Sequence, residues 1–161
     1  MSEQNHEAVF AKIEEGTKKS LSGDRLVNAL DFITYLKNGG RTWDFEWHPE
    51  FYYLDELTCL ISFQEAGWNI CCWQHEDDIY ELDDFPVDES VKEFARAKVW
   101  KCISCGGCDV PGGGRRTIFG EKHDSGVCCN VFQFINPGGE ELEKIKKLME
   151  LQKHIIADRK K

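Results

Sequence analysis

Three cysteines two residues apart, Cys102-Ile-Ser-Cys105-Gly-Gly-Cys108, followed by the vicinal pair Cys128-Cys129, constrain this chain more than any other feature it carries. A glycine pair between two thiols lets the backbone curl tightly, so three sulfurs can reach one point while a fourth arrives from a following strand. Four soft ligands complete the tetrahedral shell that zinc takes in structural sites. The expected metal is therefore Zn2+, held by Cys102, Cys105 and Cys108 with Cys128 or Cys129. The same C-x2-C-x2-C spacing suits an iron–sulfur cluster with a remote fourth ligand, although the usual cysteine-proline continuation is missing. A dithiol redox motif would open a helix, whereas glycines and Pro111 follow here. Free thiols in a glycine-rich loop are the remaining alternative.

The compartment decides how such thiols are read. Met1 to His6 contain no basic stretch leading into an apolar run, and no segment approaches membrane-spanning length, so a cytoplasmic protein without a membrane partner is expected. In a reducing compartment clustered cysteines point to metal or redox chemistry rather than disulfides. Cys59, Cys71 and Cys72 lie in β-rich runs, where a small buried hydrophobe fits without special chemistry. With 20 basic and 29 acidic residues the net charge is −9, which repels phosphate backbones and removes nucleic acid from the expected partners. A length of 161 residues with 41% hydrophobic content implies a single folded domain over 1–161.

The hydrophobic pattern predicts an α+β domain with an antiparallel sheet and flanking helices. A short helix is expected near Ala8 to Ile13. A longer one opens at Ser22 or Asp24, carries Leu26, Val27, Leu30, Ile33 and Leu36 at helical spacing, and stops at Gly39-Gly40. Arg41 to Trp47 alternates as a strand, and after His48-Pro49 the chain is expected to turn or loop. Thr58 to Gln64 and Trp68 to His75 form a hairpin around Glu65-Ala66-Gly67, placed at the sheet's centre. From Glu76 to Glu89 eight of fourteen residues are acidic, a solvated loop without the oxygen spacing of a calcium site. Asp88 is expected to cap a helix running to Lys98, two strands then follow the cysteine loop, and Asn136-Pro137 opens a long amphipathic helix.

Two further features invite functional readings. His123, five residues before Cys128, suits a solvent-facing histidine better than a base, and Arg115-Arg116 beside three glycines match neither phosphate-loop nor dinucleotide patterns. The aromatic residues exceed what a plain core needs, with several expected on opposite strand faces. A ligand cleft lined by Trp43, Glu46, Trp47, Trp68, Trp73 and Phe119 would favour a planar or cationic organic molecule by charge and cation–π attraction. Core packing plus a homodimer interface explains the same surplus.

The succession of helix, tryptophan-bearing strand, hairpin, helix, two strands and the closing helix Leu142-Glu-Lys-Ile-Lys-Lys-Leu-Met-Glu-Leu151 resembles small bacterial proteins of the GyrI-like ligand-binding superfamily, over roughly residues 22 to 156. That resemblance implies two α+β halves around an aromatic cleft holding small, often cationic, molecules, and the cysteine loop is a departure from it. The expected function is a zinc-binding, small-molecule-binding protein. The alternatives are an interaction module with structural zinc, or a zinc-dependent hydrolase with one open metal position.

Overall fold

Antiparallel strand pairing sets the architecture of the computed structural model, which describes residues 3–45, 48–65, 67–72, 87–104 and 112–161. Among these, β1 (Thr42–Phe45), β2 (Pro49–Tyr53), β3 (Glu56–Gln64), β4 (Gly67–Cys72), β5 (Val99–Lys101), β6 (Gly114–Ile118) and β7 (Glu121–Ile135) pair antiparallel in one seven-stranded sheet. The spatial order is β1-β2-β3-β4-β7-β5, with β6 also on β7. The register lines up Trp43, Phe51, Cys59, Cys72 and Phe132 as one row across five strands. All five are buried, as are Ile61, Ile70 and Phe134 in the next row. These rows share a face, and the helices cover it. Trp68 meets Phe32 of α2 (Gly23–Asn38) and Phe134 stacks on Phe94 of α3 (Glu89–Ala97) at 5.4 Å between ring centres. α1 (Glu3–Ser20) and α4 (Gly139–Arg159) complete the layer.

The α+β class, the antiparallel sheet, the central β3–β4 hairpin, α2 and α4 agree with the pattern read from the sequence. Several local expectations are corrected. α1 spans Glu3–Ser20 rather than a single turn or two, with Phe10, Ile13 and Thr17 buried along one side and Leu21 buried just past its end. Thr17 enters that stripe because its hydroxyl donates to the Ile13 carbonyl at 2.8 Å, which satisfies it inside the core. The chain does not loop after Pro49 but pairs at once, Phe45 opposite Pro49. Proline is tolerated at a strand's first residue.

Both expected caps also have other work. Asp88 stands at the N-cap of α3 but makes no capping bond; its carboxylate pairs with Lys147 of α4 at 2.7 Å. Asn136 does not cap α4, whose N-cap is Gly138; the Gly138 N–H donates to Glu141. The Asn136 side chain instead accepts from the Trp68 N–H at 2.9 Å. It occupies the space a side chain at Gly67 would need, where φ is +133°. Arg41 is the buried cation of the core: its Nη2 donates to the Met149 carbonyl at 3.0 Å, with Glu150 3.9 Å away as counter-charge.

Candidate metal centre

β5 reaches β7 with Val99 opposite Phe132 and Lys101 opposite Val127, so residues 128–131 bulge out of the ladder facing Trp100 alone. Successive side chains of a regular strand point to opposite faces. In this bulge Cys128 and Cys129 do not diverge: their sulfurs stand 4.0 Å apart. Two thiolates bound to one tetrahedral zinc at about 2.3 Å each would be ~3.8 Å apart. The vicinal pair is therefore close to the geometry of two ligands on one ion.

Cys102 arrives at the same corner. It leaves β5 with its N–H donating to the Gly126 carbonyl at 2.6 Å, two residues before Cys128. The Ser104 N–H points back at the Cys102 sulfur at 3.4 Å, and Ser104 takes a positive φ of 55° to do so. The chain then returns through Gly112 and Gly113 directly onto this junction. A Cβ at Gly113 would lie 2.7 Å from the Cβ of Cys102 and 2.5 Å from the Val127 carbonyl oxygen, so only glycine lets the strands meet there. Cys128 is buried, while Cys102 and Cys129 are half-buried.

Cys105 and Cys108 lie outside the described residues, and among the described residues no three His, Cys, Asp or Glu side chains form a group able to hold a metal. The structure thus sets the Cys128 and Cys129 sulfurs side by side and ties the Cys102 backbone to Gly126, two residues before them, but these three thiols do not form a group able to hold a metal. Sequence reasoning had set Cys71 aside as core. It sits on the sheet face away from the helices, opposite Gln133, and is almost fully buried. Burial, and next the neighbouring Cys128, push its thiol up to about 12. Nothing in the spacing of Cys71 could have announced this neighbour, because it depends on the β4–β7 pairing.

The aromatic residues are placed differently from expectation. Trp43, Trp68 and Phe119 belong to the hydrophobic core, a correction to their assignment as cleft walls. Trp43 packs edge-on against Phe10 at 5.1 Å, and the cation above the two rings is the protein's own Lys37. Burying such large rings under helices stabilises more than exposing them in a cleft would. Glu46, Trp47 and Trp73 lie outside the described residues, as does most of the acidic stretch.

A concavity that the sequence did not signal lies between α2, α4 and the chain entering α3. It is a groove of about 590 Å3, lined by residues including Tyr35, Val87, Glu150, Leu151 and His154. The Tyr35 hydroxyl donates to the Glu150 carboxylate at its floor. Burial, followed by this bond to a carboxylate, raises the Tyr35 pKa far above its usual value, so the phenol stays protonated. Lys146 and Lys147 on its rim are already paired with Asp31, Glu143 and Asp88. No helix among the described residues is long and apolar enough to cross a membrane. Compared with protein-family models, curated proteins and solved structures, the chain matches none.

Proposed function

We propose that this chain is a zinc-binding protein in which four of the five thiols Cys102, Cys105, Cys108, Cys128 and Cys129 hold one ion. The convergence of Cys128 and Cys129 to 4.0 Å within a strand bulge carries this reading, because a strand has no packing reason to fold two adjacent thiols together. Zinc bound by thiolates alone has a closed shell and acts structurally. Here it would tie the end of β5 and the segment leading to β6 onto β7, the junction that Gly113 brings into contact. Protein purified without chelator should contain about one zinc per chain and be colourless, measured by elemental analysis and visible spectroscopy. A brown protein with charge-transfer bands reassigns the site to an iron–sulfur cluster. Absence of both metals refutes the reading. A hydrolase would require zinc held by three of these thiols, with water in an open position.

A second reading, binding of a small organic molecule, is favoured by the groove beside Tyr35, whose volume of about 590 Å3 falls in the range of ligand pockets. It is the role implied by resemblance to the GyrI-like proteins, with their two α+β halves around a cleft. It places the ligand between helices rather than on the strand tryptophans. A ligand at a hundred times its dissociation constant adds about 2.7 kcal/mol to the folded state. A panel of planar cations and neutral aromatics should therefore include compounds that raise the melting temperature, and His154→Ala should remove their effect while Cys102→Ser does not. If no compound shifts the melt and His154→Ala changes only self-association, the groove is a protein interface and the homodimer reading replaces this one.

A further inference from the structure

Pleat and register gather carboxamide side chains at one end of the sheet, on the face away from the helices. Phe63 opposite Trp68, and Ile70 opposite Phe134, mark the helix-covered side. Their chain neighbours therefore point the other way. These are Gln64 opposite Gly67, Asn69 opposite Ser62 and Ile135, and Gln133 opposite Cys71. Gly67 opens a gap in this layer, because it sets no side chain beside Gln64 and Asn69. Asn136, just past β7, closes the end of the gap: its Oδ1 accepts from the Trp68 N–H at 2.9 Å and stands where a Cβ of Gly67 would be. The result is a pocket of about 220 Å3 around Gly67 and Trp68, walled by Gln64, Asn69, Gln133, Ile135 and Asn136.

Charge and size narrow what this pocket can hold. No charged side chain among the described residues lines it, so an ionic occupant would find no counter-charge there. Its space is the liquid volume of about seven waters and falls below the ~300 Å3 at which pockets for drug-sized ligands begin, so it suits a single small ring rather than a nucleotide. Asn69 supplies the chemistry. It is only 6% exposed, and its carboxamide makes no hydrogen bond among the described residues. A buried amide left unpaired costs stability. Whatever enters the pocket meets this unspent donor and acceptor first. Gln133 is already bonded to the Cys71 thiol and Asn136 to the Trp68 N–H, which holds both as walls. Gln64 is exposed at the mouth, and Ile135, 58% exposed, adds an apolar flank.

We propose that this pocket binds a small neutral cyclic amide, a ring that carries an N–H beside a C=O as pyrimidine bases do. A carboxamide presents the complementary pair, one N–H and one C=O side by side, so Asn69 forms two parallel hydrogen bonds with that edge. Gln64 offers a further amide from the mouth, and Ile135 packs on the ring. An acid or an amine of the same size would lose its hydration there with no counter-charge in return. The site uses none of the five thiols proposed for zinc and lies across the sheet from the Tyr35 groove, so it stands apart from both readings above.

Uracil titrated into the intact, isotope-labelled chain should shift the side-chain amide resonances of Asn69 to saturation in NMR spectra, and raising the ionic strength should leave the affinity unchanged. Dimethyluracil, methylated at both ring nitrogens, is also neutral but has no N–H and should bind at least about tenfold more weakly, because it leaves the acceptor of the site unpaired. Asn69→Leu keeps the volume and removes the amide. It should abolish binding while the melting temperature holds or rises, since an unpaired buried amide gives way to an apolar group of similar shape. Gln64→Ala, at an exposed position, should weaken binding several-fold with the melt unmoved, and His154→Ala should bind as the parent does. Uridine separates the sources: binding at least equal to that of uracil identifies a nucleoside, and weaker binding identifies the free base. The proposal is overturned if uracil does not saturate, if dimethyluracil binds equally well, if neither Asn69→Leu nor Gln64→Ala weakens binding, or if His154→Ala removes it, which would place the ligand in the Tyr35 groove.

Discussion

Stability is expected to fall steeply as the pH climbs from about 9 to about 11, because three buried thiols must stay protonated for the core to hold. Burial pushes Cys59 and Cys71 up to about 12, and Cys72 well above its ordinary value. Cys59 and Cys72 are register partners in the fully covered row between Phe51 and Phe132, where a thiolate would lose its water. The Arg41 guanidinium works against burial at both sites but does not outweigh it. Their folded pKa lies above the unfolded one, so their contribution is fully present below about pH 9 and is lost as the unfolded chain sheds protons that the folded chain keeps. Each such group removes about 1.4 kcal/mol per pH unit in this window. Three together remove about 4 kcal/mol per unit, a large share of the 5–15 kcal/mol that holds an ordinary domain. Urea midpoints measured in reductant at half-unit steps should shift accordingly, and Cys59→Ala/Cys72→Ala should start lower but slope about a third as steeply. A midpoint that stays flat between pH 8.5 and 10.5 would sink the argument. The same burial should leave these three thiols unreactive towards alkylating agents at pH 8 while the protein is folded.

The parts of this fold that were legible in the sequence are those where one periodicity runs without interruption. α2 and α4 repeat their apolar residues at helical spacing, and the β3–β4 hairpin is two β-rich runs around a glycine. α1 was only partly legible because Gly16 and Thr17 interrupt its stripe, and Thr17 qualifies as core only once its hydroxyl is bonded to Ile13. Polar residues with two plausible jobs misled in the same way. Asp88 and Asn136 both look like caps, but a lysine on α4 and a strand N–H claim them. Side-chain competition of this kind is decided by tertiary neighbours.

The candidate site divides along the same line. Cysteine spacing names the thiols, but it cannot show that Cys128 and Cys129 point together. That depends on β5 skipping four residues of β7 between Val99 and Lys101. The aromatic surplus suggested residues on opposite strand faces. The register instead places Trp43 and Phe132 in one buried row, with Trp68 opposite Phe63 on the same side of the sheet. A strand's pleat is visible in a sequence, whereas the face that the helices will cover is fixed by packing. The Tyr35 groove is a product of packing as well, so no linear motif marks it.

Replacing Gly113 by alanine is expected to be among the most damaging single changes outside the core, and to act on the metal site and on stability together. Two costs add. The backbone there has φ of +79°, a conformation in which a Cβ costs about 1 kcal/mol. The new methyl would also press on three atoms that cannot move independently: the Val127 carbonyl oxygen at 2.5 Å, the Cys102 Cβ at 2.7 Å and the Gly126 carbonyl carbon at 2.8 Å. Overpacking against backbone costs a further ~2 kcal/mol. The sum, about 3 kcal/mol, corresponds to a fall in melting temperature of roughly 10 °C for a domain of this size. Gly112 is the internal control. Its φ is +80°, yet a Cβ there would meet nothing within 4 Å, so Gly112→Ala should show the conformational cost alone, about 1 kcal/mol. The metal content discriminates further. Gly113→Ala pushes Cys102 off the Gly126 carbonyl and away from Cys128, so it should lower zinc affinity by tenfold or more, on the order of the loss seen when the groups that orient metal ligands are disturbed. Gly112→Ala should retain zinc as the parent does. Equal effects of the two substitutions on both melting temperature and metal content would show that the strand junction at Gly113 is looser than its contacts imply, and that Cys102 is not held there by the returning chain.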